Sequence, residues 1–420
     1  MAIAQKTVAE ICLEAKAASR TLALADSELK NRALLAIAEA LDANAAEILA
    51  ANAKDLDAGR EAGLDNALMD RLKLDEGRLA AIADDVRKTA TLEDPAGRVI
   101  REFELYNGVK VTKVAVPLGV IAVVYEARPN VTIDAASLCL KSGNAIVLRG
   151  SSTAANSNAV LAQVARDAIE SVGLPQAAIS IVNGGDREEL KELATQEGVI
   201  DLIIPRGGEG LKHALKAVAT VPVIYAAAGN NHVYVDADAN LDWAVDIVVN
   251  AKVQRPGVCN AAETLLVHRD VADEFIPRAA AALRADAVEL RADDRAKPLV
   301  GDGALDVSDE DWDTEYLDLV LAVKVVDSVD EAIEHVNRHG TGHSEAIVTN
   351  NEVTADKFTG NIDAACVYVN VSTRFTDGGE FGYGAEIGNS TQKLHARGPI
   401  ALRELCSYKY VARGDGQVRG

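Results

Sequence analysis

A chain of 420 residues with a net charge of −21, 49% hydrophobic and 25% charged residues has the balance of a soluble globular protein, and the wrong sign for nucleic acid, whose phosphates demand basic surface. It is too long for one ordinary core, so two domains are expected, and no apolar run or opening segment reads as a membrane span or signal peptide. Its five cysteines (Cys12, Cys139, Cys259, Cys366 and Cys406) are scattered and form no Cys-x-x-Cys, which reads as reduced thiols in the cytoplasm and excludes a disulfide framework or zinc site.

Residues 1 to about 95 read as consecutive amphipathic helices, with Asp26 or Ser27 as the cap of the helix carrying Ala33, Leu34, Ile37 and Leu41. Val99–Tyr106 and Val109–Val114 then alternate across Asn107-Gly108, a hairpin signal. An isolated hairpin is barely stable, so this one is expected to lean on another sheet or subunit as an oligomerisation arm. The continuous apolar runs Val120–Tyr125, Ala145–Leu148, Ile179–Val182, Ile200–Ile204 and Val221–Ile224 read as buried parallel strands alternating with helices. A second α/β series starts at His232–Val235. It continues through a helix with Trp243, Ile247, Val248 and Ala251, then Thr264–Val267, Leu319–Val326 and Ala365–Val371, and ends in the Gly-rich tail Phe381–Gly388. The fold class expected is α/β, doubly wound, with ligands at the carboxyl ends of strands.

Lys252-Val253-Gln254-Arg255-Pro256-Gly257-Val258-Cys259-Asn260 is the stretch with the clearest chemistry. Pro256-Gly257 stops the preceding helix and sets a thiol in a turn beside backbone N–H groups and Arg255, conditions that make a nucleophile. The competing reading is a small buried hydrophobe. A strongly acidic chain that binds an anion must also concentrate positive charge locally, which singles out Arg128, Lys141, Arg149, Arg255, Arg374, Lys393 and Arg397 inside apolar or Gly-rich stretches. Gly-x-Gly-x-x-Gly is absent, and the nearest loop is Arg206-Gly207-Gly208-Glu209-Gly210, where N–H groups could face a cofactor phosphate. No His-Glu-x-x-His or Gly-x-Ser-x-Gly occurs, and no metal is expected.

Tyr125-Glu126-Ala127-Arg128-Pro129-Asn130-Val131-Thr132, the Cys259 stretch, and Gly384-Ala385-Glu386-Ile387-Gly388 running on to Leu394-His395-Ala396-Arg397-Gly398-Pro399 together resemble the aldehyde dehydrogenase superfamily. Within it they resemble the branch that reduces L-glutamyl 5-phosphate with NADPH. The resemblance implies an aldehyde dehydrogenase-like pair of doubly wound α/β domains plus the hairpin arm. It puts a cofactor-binding domain at 1–98 and 115–228 with part of 380–405, the arm at 99–114 with 406–420, and a catalytic domain at 229–379.

It implies Cys259 as the nucleophile and Asn130 as an oxyanion-hole donor beside the Cys259 N–H. Arg149, Ser151, Ser152, Gly207, Gly208 and Glu315 are implied at the cofactor, Arg149 with Ser152 favouring NADPH because no carboxylate stands there to repel a 2′-phosphate. Arg128, Ser372, Arg374, Lys393 and Arg397 are the candidate clamps for an anionic substrate. Where oxidising members carry a water-activating Glu, this chain has Ala226, as suits a thioester left for phosphate or hydride. Asn231 stands where many members have Cys, a change expected to affect only local packing. The expected reaction is reduction of L-glutamyl 5-phosphate to L-glutamate 5-semialdehyde by a homo-oligomer (dimer or tetramer), with channelling from glutamate 5-kinase. The alternatives are an aldehyde dehydrogenase acting on another small acidic semialdehyde, and a catalytically silent dinucleotide-binding protein.

Overall fold

The computed structural model describes residues 6–182, 185–225 and 228–419. The chain forms two compact units, one of Met1–Tyr225, Gly382–Gly388 and Ile400–Gly420, the other of Ala226–Phe381 and Asn389–Pro399.

The first unit opens with helices Val8–Leu22, Ser27–Ala43, Ala45–Glu61, Asn66–Leu72 and Glu76–Thr91. Asp26 is the cap of the second, its carboxylate accepting the Leu29 N–H at 2.7 Å. Strands β1 (Val99–Glu104) and β2 (Lys110–Pro117) then pair antiparallel, and Cys406–Arg413 pairs along the other side of β2. The hairpin closes on a turn in which the Gly108 N–H reaches the Leu105 carbonyl at 3.0 Å. Gly108, at φ +83°, takes the left-handed position that ends such a turn in a bulge.

β3 (Val120–Tyr125), β4 (Ala145–Gly150), β5 (Ile179–Val182) and β6 (Leu202–Arg206) form a parallel sheet in the order β5-β4-β3-β6, with β3 buried along its whole length. The chain winds outward one way from β3 and then returns to its other side at β6. The switch point therefore lies at the ends of β3 and β6, where an open α/β sheet takes its ligand. Val221–Ile224, expected as a further strand, makes only one bridge, Val223 to Ile203, and is not a strand. Pro222 has no N–H to give a ladder, which accounts for the difference.

The second unit is built on a parallel sheet of β7 (Asn231–Val235), β8 (Ala262–His268), β9 (Glu289–Ala292), β10 (Leu305–Asp306), β11 (Val320–Val326), β12 (Ser344–Val348) and β13 (Cys366–Val369), in the order β10-β9-β11-β8-β7-β12-β13. The helix Leu241–Val253 packs Ala244, Val248 and Ala251 into its core. Trp243, expected on that face, is 50% exposed, because it lies one position off the buried stripe.

Candidate active site

The helix Leu241–Val253 stops ahead of Arg255-Pro256, where the residue before proline is pushed out of the α region. Cys259 follows in the turn that leads into β8, at the amino end of the strand rather than the carboxyl end, and is partly exposed. Asn231, the first residue of β7, lies alongside because β7 and β8 pair from Asn231 and Ala262 onward. Its Nδ2 is 2.9, 2.9 and 2.7 Å from the carbonyl oxygens of Gly229, Cys259 and Ala261, and its Oδ1 accepts the Ser344 N–H at 3.1 Å. Gly229 lies so close to Cys259 that an added Cβ would overlap the Cys259 carbonyl.

Arg374 spans the same turn, donating through Nε to Gln254 at 2.8 Å and through Nη1 to Asn260. Asn260 is buried and donates back to the carbonyls of Arg374 (3.2 Å) and Thr376 (3.0 Å). Burial draws the Arg374 guanidinium below its usual range and Arg255 adds to this, while Asp377 and the Cys259 sulfur oppose it. The Cys259 sulfur and the Arg374 guanidinium thus lie close enough to act on one another. Ser372 is buried and caps the short helical turn at Arg374, accepting its N–H at 3.3 Å.

Behind the turn Lys252 and Glu263 form an ion pair of 2.6 Å with both side chains fully buried. Burial pushes the Glu263 carboxyl up and the Lys252 ammonium down, and each partner opposes the other's shift. Glu263 also accepts the N–H of Leu317 at 3.4 Å, pinning a residue whose φ of +55° is costly for a branched side chain. Two residues earlier, Glu315 accepts the Gly229 N–H at 2.7 Å.

In the first unit Asn130 opens the helix Asn130–Lys141 directly after the switch-point strand β3. That helix is tied down by Tyr125, whose hydroxyl meets Thr132 at 2.7 Å, and by Thr132 donating to Asn158 at 3.1 Å. The Asn130 amide donates to Asp134 at 2.8 Å. Burial pushes the Asp134 carboxyl up to about 7, with Asp85 adding to this and Asn130 and Arg206 opposing it. Arg128 lies half-buried in the loop leading to Asn130.

At the switch point Gly208 is the cap of the helix Glu209–Val218, and its N–H is engaged by the Glu126 carboxylate at 3.0 Å. A Cβ on Gly207 would come within 2.7 Å of that carboxylate. The helix start thus already holds one anionic group, the chain's own Glu126 carboxylate. At the end of the neighbouring β4, Arg149 is held by Glu189 at 3.3 Å and by the Asp186 carbonyl at 2.8 Å. Burial lowers its proton affinity while Glu189 sustains it. Ser151 caps the turn that follows by accepting the Thr153 N–H, and Ser152 is exposed.

The structure brings Cys259, Arg374, Ser372 and the Glu315 loop together in one unit, and Asn130, Arg128, Arg149, Ser151, Ser152, Gly207 and Gly208 at neighbouring strand ends of the other. Lys393 and Arg397 are engaged elsewhere, both pairing with Asp363 at 2.5 and 2.9 Å. Ala226 lies outside the described residues. Among the described residues no cluster of three or more His, Cys, Asp or Glu could hold a metal ion. The sequence reading passed over Asp134, Glu189 and the Lys252–Glu263 pair, gave Glu126 no role beyond its motif, and assigned Asn231 only to local packing, whereas its amide bonds the carbonyls of the Cys259 turn. The available signal was a single carboxylate in a largely apolar helix, as with Asp134.

The aldehyde dehydrogenase family model matches residues 1–306 and 297–411, and the chain belongs to that family. It is 52% identical over 406 residues to the gamma-glutamyl phosphate reductase of Caldanaerobacter subterraneus, covering 97% of this chain and 98% of that protein. To the gamma-glutamyl phosphate reductase of Heliobacterium modesticaldum it is 53% identical, over 97% of each chain. The crystal structure of gamma-glutamyl phosphate reductase from Thermotoga maritima matches with a TM-score of 0.97 at 45% identity, covering 99% of this chain and 100% of that one. An acetylating aldehyde dehydrogenase from Geobacillus thermoglucosidasius shares the fold at 20% identity and a TM-score of 0.70, over 98% and 97% of the two chains.

Proposed function

We propose that this chain reduces L-glutamyl 5-phosphate to L-glutamate 5-semialdehyde and phosphate with NADPH, a step of proline biosynthesis, through a thioester on Cys259. The observation that carries this reading is the 52% identity, over 97% of the chain, to a gamma-glutamyl phosphate reductase. The partly exposed thiol in a bond-locked turn supports it.

The Cys259 thiolate attacks the acyl carbon, the carbon–oxygen bond to phosphate breaks, and phosphate leaves. Asn130 and the Cys259 N–H donate to the oxyanion of each tetrahedral species, where such donors are worth about 2.7–4 kcal/mol apiece. Arg149, Ser151, Ser152, Gly207, Gly208 and Glu315 would hold the dinucleotide. When bound, the reduced nicotinamide supplies the hydride that resolves the thioester. Collapse of the thiohemiacetal releases the aldehyde and regenerates the thiolate. Arg374 uses Nε and Nη1 within the turn, so Nη2 is its nitrogen for an incoming phosphate or carboxylate. Ser372, which caps the turn at Arg374, and Arg128 in the first unit are the other candidate clamps. Lys393 and Arg397 serve it only if they leave Asp363.

The arm supports a homo-oligomer: β1 is exposed along its whole length, Tyr408 and Tyr410 are exposed on the same three-stranded sheet, and Tyr106 is exposed in the hairpin turn. The lability of an acyl phosphate supports hand-over from glutamate 5-kinase in the cytoplasm, and co-elution of the two at cellular concentration is the check on it.

The test is the reverse reaction. Glutamate semialdehyde should reduce NADP⁺ only when phosphate is present, and Cys259→Ala should lower the rate by about 10⁴-fold or more. Phosphate-independent formation of the free acid would overturn the reading.

A further inference from the structure

Asp134 is the one acidic residue in the helix Asn130–Lys141, whose other residues from Val131 onward are buried. It lies one helical turn beyond Asn130, and its Oδ2 receives an Asn130 N–H at 2.8 Å. The two ends of an asparagine amide have nearly the same shape, so only its hydrogen-bond partners decide which way it faces. An ionised carboxylate can only accept. It therefore holds the NH₂ end of Asn130 in place, uses one N–H, and leaves the second.

We propose that Asp134 is a positioning residue that fixes the orientation of the Asn130 amide, so that its second N–H is presented to the oxyanion. This rests on the reading of Asn130 as an oxyanion donor. Asp134 is not needed to hold the helix, which Tyr125, Thr132 and Asn158 already anchor. Besides Asn130, the charged groups acting on its carboxyl are Asp85 of the helix Glu76–Thr91 and Arg206 at the end of β6. Burial pushes Asp134 up to about 7, so it gains a proton in mild acid. A protonated carboxyl can donate to Oδ1 and hold the amide the wrong way round. The competent form is the ionised one, so kcat should fall as pH falls through about 7.

The experiment compares kcat and KM of the full-length enzyme with those of Asn130→Ala, Asp134→Ala, Asp134→Asn and the double variant Asn130→Ala/Asp134→Ala. Asn130→Ala should lower kcat by about 10²–10³-fold. Asp134→Ala should lower kcat by about 3–10-fold, the scale of one hydrogen bond, with KM within about twofold. In the double variant Asp134→Ala should cost nothing further, because the donor it aims is gone. Asp134→Asn, near-isosteric and neutral at every pH, should lack the acid limb of the wild type. It carries the test alone if the alanine variant does not fold.

An unchanged kcat in Asp134→Ala, an undiminished effect of it beside Asn130→Ala, or a wild-type acid limb in Asp134→Asn would overturn the proposal while the role of Asn130 stood. Full activity in Asn130→Ala would overturn both.

Discussion

Around Cys259 the second unit places an Asn231 amide against three carbonyls, a guanidinium bonded to both flanks of the turn, and a glycine whose α-carbon leaves no room for a side chain. Around Asn130 the first unit places one carboxylate, one helical turn away. The difference follows from the roles proposed for the two groups. An attacking atom has to be placed within fractions of an ångström, and a loop leading into a strand supplies no such precision without many bonds. An amide at a helix start inherits its position from the helix and needs only the correct face.

Breaking the many-bonded side should therefore cost folding as well as rate. The largest effect is expected from Glu263→Gln, which strands the Lys252 charge in the core and should destabilise the protein by about 3–5 kcal/mol in urea titration. Replacing both partners by apolar residues of similar volume should restore most of that loss. Asn231→Ala leaves three carbonyls without their donor and should cost about 3 kcal/mol in the same titration. Gly229→Ala must move the nucleophile turn. It should lower kcat by about 10²-fold, the penalty of a displacement near 1 Å, with a smaller change in melting temperature.

A milder change sharpens the comparison from the first unit. Glu189→Gln removes the carboxylate partner of Arg149 and should lower KM for NADPH by about threefold, leaving KM for NADH unchanged. The smallest effect is expected from Lys393→Ala. Its pair with Asp363 is exposed, so stability should move by less than about 1 kcal/mol. Reverse-reaction kinetics will show whether it touches substrate.

The strands were legible where apolar runs were continuous. Val120–Tyr125 and Ile179–Val182 match β3 and β5 to the residue, since a strand buried on both faces leaves no polar positions to blur its ends. Val221–Ile224 misled because its composition is strand-like while Pro222 blocks the ladder. Pro256-Gly257 made the Cys259 turn readable, because both residues act locally. The supports of that turn were not readable. Asn231 and Cys259 meet only because β7 and β8 pair, and Lys252 finds Glu263 across a helix–strand contact with nothing in either neighbourhood to announce it. Asp134 was within reach, since a single carboxylate four residues after Asn130 in an apolar helix asks for a partner.

Cys12, Cys139, Cys366 and Cys406 are all buried, and burial pushes Cys12 and Cys406 up to about 12 and Cys139 higher still. Only Cys259 is partly open to solvent. An electrophile in neutral buffer thus meets, in effect, one sulfur per chain. A maleimide dye would count accessible thiols without mutagenesis, and a single peroxide molecule would oxidise the one open sulfur. The acylation proposed for it would shelter that sulfur, leaving the idle enzyme more vulnerable than the working one.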